Sequence, residues 1–145
     1  ILTHKPHNQT VRISGGSSVA EQEVVRKQLN IRETPSELLE LWEGHVCACE
    51  GGYQWDYSEY LNELRVRDVL EAIMRAPELA KFPEHAEFEG RVNEIDRRFR
   101  SVLMENARAT TDGPWWRMGV LRKAGSPYVE YCAKALGINV ESVDP

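Results

Sequence analysis

The sequence predicts a mainly helical single domain of about five helices over residues 1–145. Three observations favour this fold class. The chain has 145 residues, a length that suits one domain with its own core. Ser, Thr and Asp each stand three positions before a Glu, which indicates helix starts, and one later segment repeats apolar residues at helical spacing. Residues 1–15 are predicted to be an N-terminal extension, or a short strand or hairpin.

A short strand and a first helix are predicted near the N-terminus. Thr10–Ser14 alternates polar and apolar residues, which predicts a strand that ends at Gly15–Gly16. Ser18 and Glu21 then form a capping box, in which each side chain accepts a hydrogen bond from an unpaired amide of the first turn. We therefore expect a first helix from this pair to about Leu29.

A second helix start is predicted in the acidic part of the chain. Thr34 and Glu37 form another capping box. Pro35 lies between them and suits the first turn, because no amide donor is needed there. Leu38, Leu39, Leu41 and Trp42 follow, so this helix should bury a broad apolar face, and it must end before Gly51–Gly52.

A third helix start is predicted at Asp56, with Glu59 three residues later. The apolar residues that follow form two groups, within residues 57–64 and 66–73, on opposite sides of one helix. A single straight helix cannot bury both groups in one core. The sequence therefore predicts either a break near Arg65 or a helix that lies between two layers.

The clearest periodic segment follows a short linker predicted at residues 77–84. Its apolar residues alternate spacings of four and three: Phe88, Val92, Ile95, Phe99 and Val102. This stripe covers about two heptads, and it predicts a helix that faces the core of a bundle. The alternative is a scaffold helix that dimerises through the same stripe, which would then be exposed in the monomer.

The C-terminal part is predicted to contain one more helix. Asp112–Gly113–Pro114 interrupts the chain before it. Ser126–Pro127 then opens a helix that Gly137 terminates. Its inward side is expected to carry Tyr128, Val129, Cys132 and Leu136.

Charge and composition exclude several classes of function. The chain has 18 basic and 23 acidic residues and a net charge of -5, whereas nucleic-acid binders need Lys and Arg to neutralise phosphates. No apolar run approaches the roughly 20 residues that cross a bilayer. The 3 cysteines and the absence of an export signal predict reduced thiols and a cytoplasmic protein. Neither a nucleic acid nor a membrane is therefore expected as a partner.

The charge is distributed unevenly along the chain. Residues 33–64 contain eight acidic residues and no Lys or Arg, whereas basic residues dominate from Arg97 to Lys123. Five aromatic residues lie in the same acidic segment, and Tyr and Trp are favoured at protein interfaces. The surrounding carboxylates would attract a basic partner and speed its association.

We therefore interpret the acidic segment as a surface that binds a basic protein partner. The leading hypothesis is a non-enzymatic binding module, and its most concrete form is a bacterial immunity protein that neutralises a toxin. The alternative interpretation is a pair of core helices whose outer side is acidic. The residues predicted to contact the partner are Glu40, Glu43, Tyr53, Trp55, Asp56 and Glu59.

Metal and cysteine chemistry have less support in the sequence. His45, Cys47, Cys49 and Glu50 are candidate metal ligands, but closed zinc sites are usually built from two separated ligand pairs. His45 and Cys49 can meet on one helical face as a base and a nucleophile, although the spacing identifies no orienting third group. No catalytic residue, metal or cofactor is therefore assigned.

A second function hypothesis rests on Trp115, Trp116 and Arg117. Two adjacent Trp residues cannot both face inward on a helix, so one should pack and the other should be exposed or cap another element. Arg117 can stack on an indole. With His45, these residues would line the pocket of a small enzyme or ligand-binding domain, which is the alternative to the binding module.

Three short motifs carry a resemblance to a group of proteins: Tyr60-Leu61-Asn62, Arg67-Asp68 and Pro114-Trp115-Trp116-Arg117. From about residue 60 onward, the chain resembles small uncharacterised bacterial proteins in which a YLN-x-L-x-x-RD helix precedes a Phe/Arg-rich helix and a PWW stretch. The resemblance implies a bacterial origin and no established activity. We expect a cluster of ion pairs and stacked rings that locks the helices together, formed by Arg67, Asp68, Asp96 and Trp116.

Overall fold

Helices make up most of the structure, a computed structural model that describes residues 18–144. Helices of at least 7 residues are α1 (Val19–Lys27), α2 (Pro35–Glu50), α3 (Tyr57–Glu63), α4 (Arg65–Arg75) and α5 (Glu84–Ser101). A 3₁₀ turn, Pro77–Leu79, lies in the predicted 77–84 linker. The predicted mainly helical fold is confirmed. The predicted 1–15 extension and its Thr10–Ser14 strand lie outside the described residues.

Short strands and helices alternate after α5. They are β1 (Leu103–Arg108), α6 (Trp115–Met118), β2 (Gly119–Leu121), β3 (Lys123–Ala124), α7 (Ser126–Tyr131), a π-helical turn (Cys132–Leu136) and β4 (Glu141–Ser142). β1 pairs antiparallel with β2, Leu103 opposite Leu121, and β3 pairs parallel with β4. The sequence predicts a strand or hairpin only at the N-terminus. The four strands after α5 were not predicted, and they correct that expectation. With 2 to 6 residues each, they are too short for alternation to reveal them.

The helix starts predicted at Ser18, Thr34 and Asp56 each carry a side-chain cap, whereas the start predicted at Ser126 has none. The Thr34 hydroxyl accepts a hydrogen bond from the Glu37 amide at 3.1 Å, and the Glu37 carboxylate accepts one from the Thr34 amide at 2.9 Å. At α3, the Asp56 carboxylate accepts one from the Glu59 amide at 2.8 Å. At α1, the Ser18 hydroxyl accepts one from the Glu21 amide at 3.1 Å, which is the Ser18 half of the predicted capping box. These bonds join residues three positions apart, so they form without tertiary contacts.

The break predicted near Arg65 is confirmed. Helix α3 ends at Glu63 and α4 begins at Arg65, with the buried Leu64 between them. The break turns both apolar groups toward the same core. The buried residues that it brings together are Tyr57 and Tyr60 of α3 and Leu70 and Ile73 of α4.

Helix α5 packs against both α2 and α4. Its apolar stripe is buried at Phe88, Val92, Ile95 and Phe99 and partly buried at Val102. The core-facing interpretation is confirmed, and the stripe is not exposed as a dimer interface would require. Although α5 has 18 residues, neither it nor any other helix within residues 18–144 is apolar enough to cross a membrane.

Aromatic rings fill the centre of the helical core. Trp42, Tyr60, Phe99 and Tyr128 are each at most 1% exposed. Phe99 meets Trp42 edge to face with 5.0 Å between ring centroids, and Tyr60 meets Tyr128 in the same way at 5.0 Å. Such pairs contribute about 0.5–1.5 kcal/mol beyond the burial of their area. The first pair joins α5 to α2, and the second joins α7 to α3.

A buried ion pair joins α4 to α5. Arg67 donates two hydrogen bonds to Asp96, from Nε to Oδ1 at 3.0 Å and from Nη2 to Oδ2 at 2.9 Å. The indole Nε1 of Trp42 on α2 donates to the same Oδ1 at 3.0 Å. Arg67 also bonds Glu71 at 2.9 Å. Three helices are therefore tied to one carboxylate in the interior.

The same cluster extends to α6 through Trp116. Arg67 lies over the Trp116 ring, with its guanidinium carbon 4.1 Å from the centroid. The Trp116 indole donates to Asp68 at 2.7 Å, and Arg117 donates to Asp68 from Nη2 at 2.6 Å. The predicted cluster of Arg67, Asp68, Asp96 and Trp116 is confirmed.

The C-terminal tail is held against α7 and the loop between α2 and α3. The Asp144 carboxylate accepts hydrogen bonds from the amide and the hydroxyl of Ser126, at 2.8 Å and 2.5 Å. These bonds hold the pKa of Asp144 below its ordinary value. Val143 packs on Gly52, where a φ of 95° and this contact leave no room for a side chain.

We expect Asp96→Ala to lower the free energy of unfolding by about 3–5 kcal/mol, because it leaves the buried Arg67 guanidinium without its carboxylate. Urea unfolding followed by circular dichroism measures the change. Glu94→Ala is the matched control, since Glu94 lies on the exposed side of α5 and pairs with Arg91 at 3.4 Å. Its loss should change stability by less than about 0.5 kcal/mol. Equal losses in both variants would contradict a special role for the buried pair.

Candidate functional site

The carboxylates of residues 33–64 fall into two groups in the structure. Three of them, Glu43, Glu50 and Glu63, contact a basic side chain of the protein itself. Within residues 18–144, four others form no ion pair: Glu33, Glu37, Glu40 and Asp56. Part of the acidic segment is therefore a charged surface without ion pairs, and the carboxylates of the other part are neutralised by basic residues of the same chain.

Arg98 of α5 neutralises one side of α2. It donates from Nη1 to Glu43 at 2.7 Å, and from Nε and Nη2 to the two oxygens of Glu50 at 3.0 Å and 2.9 Å. Its Nη2 also lies 3.2 Å from the sulfur of Cys47. These bonds hold the pKa of Glu50 below its ordinary value and raise the pKa of Arg98. Glu43, which the sequence assigns to the partner surface, is thus already paired within the protein.

An open groove of about 520 Å³ lies beside this ion pair, between α2 and α5. Its lining includes Glu43, Glu94, Arg91, Arg97 and Arg98. Arg91 pairs with Glu94 at 3.4 Å, and Arg98 pairs with Glu43. Two of its three arginines thus pair with its two carboxylates, and Arg97 is the one charged group of the lining that forms no ion pair within residues 18–144.

A buried polar cluster joins α2 to α3. The Tyr53 hydroxyl donates to Glu63 Oε2 at 2.6 Å, and His45 Nδ1 lies 3.3 Å from Glu63 Oε1. On the other side of the imidazole, Nε2 lies 3.6 Å from the sulfur of Cys49. Thiol, imidazole and carboxylate therefore follow one another in the order of nucleophile, base and orienting group that cysteine enzymes use.

Burial keeps this cluster from acting on a substrate. Cys49 is 1% exposed, and Tyr53 is fully buried. Burial, reinforced by Glu63 and Glu50, raises the pKa of the Cys49 thiol well above its ordinary value, so the thiol stays protonated. Burial and the bond to Glu63 also raise the pKa of Tyr53. Tyr53 is thus a core residue and not part of a partner surface, which corrects its assignment from the sequence.

The candidate metal ligands lie in different surroundings. Cys47 is exposed and contacts Arg98, whereas His45 and Cys49 belong to the buried cluster. Glu50 is bound by Arg98. Among the residues from 18 to 144, no three His, Cys, Asp or Glu side chains are placed to hold a metal ion. All three cysteines are free thiols, as the sequence predicts.

Other side chains fill the surroundings of Trp116 and Arg117. Trp116 is buried, its ring lies against Arg67 and its indole nitrogen is bonded to Asp68. The sequence suggests that Arg117 stacks on an indole, but Arg117 pairs with Asp68 and it is Arg67 that stacks. A ligand bound here would have to displace the bonds that join α4 to α6.

Trp115 is the more exposed of the two adjacent Trp residues, so one packs and the other lies nearer the surface, as predicted. Arg100 covers it, with the guanidinium carbon 3.8 Å from the ring centroid. His45 and Trp115 both contact Phe99, with centroid distances of 5.9 Å and 6.1 Å. Two of the four predicted pocket residues are therefore packed against one apolar ring, whereas Trp116 and Arg117 are bonded to Asp68.

The outer face of α2 is the exposed part of the predicted partner surface. At about 100° per residue, Glu37, Glu40 and Leu41 point away from the side that carries the buried Trp42. Leu41, which the sequence places on the buried face with Leu38 and Leu39, is 48% exposed, which corrects that expectation. It is one of three large apolar side chains that are exposed within residues 18–144. An exposed leucine beside unpaired carboxylates has the apolar centre and polar rim of a protein interface.

Trp55, Asp56 and Glu59 lie beyond the opposite end of α2. Because a helix rises about 1.5 Å per residue, Glu40 stands roughly 15 Å along the axis from the end of α2. Trp55 is half-buried, with its ring edge to face on Tyr53 at 5.4 Å. Asp56 is exposed and caps α3. The six residues predicted to bind one partner do not form a single compact patch.

Sequence reasoning missed the roles of Glu63 and Arg98. Glu63 completes the buried cluster. The sequence contained one indication of this role, because Glu63 follows Tyr60 by three residues and so lies on the same side of a helix. Arg98 offered no local indication, because Glu50 and Glu43 lie 48 and 55 residues away from it in the chain. Its pairing depends on how α5 packs against α2.

Comparison with known proteins shows no match to this chain among protein-family models, curated proteins or solved structures. Any function must therefore be inferred from the burial, contacts and charge of its own residues. Within residues 18–144, the outer face of α2 combines unpaired carboxylates with an exposed apolar side chain. We take this face as the candidate functional site.

We expect iodoacetamide to alkylate Cys47 in the native protein at least about 100-fold faster than Cys49 or Cys132. Cys47 is exposed, whereas the other two are buried, and burial raises the pKa of both thiols, that of Cys132 to about 11. Peptide mass spectrometry gives the three rates, and urea-unfolded protein, in which all three should react alike, is the control. If native Cys49 reacted as fast as Cys47, the cluster would open in solution and the nucleophile hypothesis would regain support.

A pH dependence of stability follows from the bonds between Arg98 and Glu50. The pKa of Glu50 is lower in the folded protein than its ordinary value of 4.5, so the resulting stabilisation is present above that pH and is lost as the pH falls. Arg98→Met should therefore lose less stability than the wild type between about pH 6 and pH 3 in urea unfolding. Arg97→Met, a neighbouring exposed position, should keep the wild-type acid sensitivity. Equal acid sensitivity in all three proteins would contradict the assignment.

Proposed function

We propose that this protein is a non-enzymatic binding module that uses the acidic outer face of α2 against a basic protein partner. The observation that carries the proposal is that Glu37 and Glu40 form no ion pair within residues 18–144 and lie on the same outer face of α2 as the exposed Leu41. Carboxylates in this state attract an external cation, and an adjacent apolar side chain supplies area to bury. The net charge of -5 adds attraction at longer range.

The rigidity of α2 supports the same proposal. Its capping box fixes the first turn, Trp42 anchors it to Asp96, and Arg98 holds its other end. A surface that is already ordered loses little conformational entropy when a partner binds. Affinity can therefore come from few contacts.

The exposed residues at the start of α3 extend this surface. A typical interface buries about 800 Å² on each partner, which is wide enough to reach from Glu40 to Asp56. Trp55 and Glu59 lie beside Asp56 and are half-buried. We assign these three residues to the edge of the interface, and the outer face of α2 to its centre.

The most concrete form of the proposal is a bacterial immunity protein that binds and neutralises a basic toxin in the cytoplasm. This role needs a stable acidic surface and no catalytic group. The burial of Cys49 and the filled surroundings of Trp116 support binding over catalysis. No observation favours the alternative ligand pocket around Trp115, Trp116, Arg117 and His45.

Affinity capture from lysate of the source cell tests the proposal. We expect the wild type to retain one stoichiometric basic protein at low salt and to release it as salt rises, because screening weakens exposed charge pairs. A Glu37→Gln/Glu40→Lys variant, in which Gln keeps the oxygen of the capping box, should retain at least about tenfold less of it.

The matched control is a Glu89→Gln/Glu78→Lys variant. These residues are exposed, and the substitution changes the net charge by the same amount. Capture by the control should match the wild type. If both variants lost the partner equally, net charge and not the α2 face would be responsible. If neither lost it, the proposed surface would be wrong.

A further inference from the structure

Two arginines in the last turns of α5, Arg97 and Arg100, are exposed and form no ion pair within residues 18–144. We propose that these two side chains bind the phosphate group of a sugar phosphate, whose hydroxyl-bearing body lies in the groove between α2 and α5. This site is separate from the outer face of α2, so the inference goes beyond the proposed function.

Arg100 is held in place by an aromatic ring. Its guanidinium carbon lies 3.8 Å from the centroid of the Trp115 ring, which is a cation–π contact. Trp115 in turn contacts Phe99 of the core, with 6.1 Å between the ring centroids. Stacking occupies one face of the guanidinium, whereas its N–H groups lie in the plane and can still donate hydrogen bonds. Arg100 therefore presents an ordered set of donors that no carboxylate of the described chain uses.

Arg97 supplies a second cation beside Arg100. Residues three positions apart are neighbours on a helix, with about 5–6 Å between their Cβ atoms. Two guanidiniums at this separation can bond different oxygens of one phosphate, and such charge-assisted bonds are the strong ones. The end of α5 itself repels an anion, because the C-terminus of a helix carries a partial negative charge. Phosphate binding here therefore depends on both arginines.

The groove beside Arg97 has the size and the chemistry for a sugar. Its volume of about 520 Å³ lies in the range of about 300–1,000 Å³ that small-molecule sites have. Arg98 bonds one oxygen of Glu43, and Arg91 bonds one oxygen of Glu94. The second oxygen of each carboxylate has no bond within residues 18–144. The walls thus offer both donors and acceptors, as hydroxyl groups need, because each hydroxyl donates and accepts.

The composition of the groove favours a polar anion over other ligands. Three arginines stand against two carboxylates in its lining, so it has an excess of one positive charge, and Arg100 adds a second beside it. A cation would therefore be repelled. Ile95 is the one apolar residue of the lining, and an apolar ligand would cover charged groups without pairing them.

Titration calorimetry with the full-length chain tests the site. The probes are ribose 5-phosphate and glucose 6-phosphate, with glucose and inorganic phosphate as references at matched ionic strength. We expect at least one of the sugar phosphates to bind at least about tenfold more tightly than either reference, because only it engages the arginines and the groove together. The same ligand should shift the indole resonance of Trp115 in the ¹⁵N spectrum.

Single variants assign the binding to the two arginines. Arg97→Gln and Arg100→Gln should each weaken binding of the sugar phosphate at least about tenfold. Arg100→Lys keeps the charge but loses the planar fork of donors, so it should still weaken binding by at least about threefold. The matched control is Arg32→Gln, because Arg32 is exposed before the start of α2 and does not line the groove. It should bind as the wild type does.

Three results would overturn the inference. If neither sugar phosphate bound more tightly than inorganic phosphate, the groove would have no part in recognition. If Arg32→Gln weakened binding as much as Arg97→Gln, net charge and not this site would be responsible. If Arg100→Lys bound as tightly as the wild type, the stacked guanidinium would not be the group that holds the phosphate. Circular dichroism checks that every variant is folded.

Discussion

The buried carboxylate of Asp96 is the constraint on which the arrangement of the helices depends. A charge inside a protein is tolerated when an opposite charge and hydrogen-bond donors surround it. Arg67 on α4 and Trp42 on α2 supply those donors here. Because both must reach one carboxylate on α5, the three helices hold a single relative position. Trp116 then covers the guanidinium, so the C-terminal region is placed by the same cluster.

The position of α2 against α5 also determines which carboxylates remain outside. On one side of α2, Arg98 forms ion pairs with Glu43 and Glu50. On the inner side, Glu63 contacts His45 and accepts a hydrogen bond from Tyr53. The outer face keeps its charge because no basic residue of the described chain reaches it. The proposed binding surface is therefore the side of α2 that does not pack against the core. It is rigid because hydrogen bonds and ion pairs fix the other sides of the helix.

The sequence leaves two interpretations of the acidic segment open: a surface for a basic partner, and a pair of core helices with an acidic outer side. Each of them describes a different part of the segment. The aromatic residues Trp42, Tyr53 and Tyr60 are buried, as the core interpretation requires. Glu37 and Glu40 remain unpaired within residues 18–144, as a partner surface requires. Spacing does not separate the two, because a helix carries a buried and an exposed face within each turn. The charge of the candidate site was therefore predicted from the sequence. The burial of its aromatic residues and the exposure of Leu41 were visible only in the tertiary structure.

The sequence by itself determined the starts of α1 to α3, the break near Arg65 and the core-facing stripe of α5, because each depends on residues a few positions apart. Its motifs also indicated the cluster around Arg67 and Asp96. Only the tertiary structure decided that Arg98 neutralises α2, that Glu63 completes the buried cluster, and that short strands follow α5. The physical reason is that such contacts join distant residues, up to 55 positions apart for Arg98. Their pairing is set by the packing of the whole core and leaves no periodic trace in the chain.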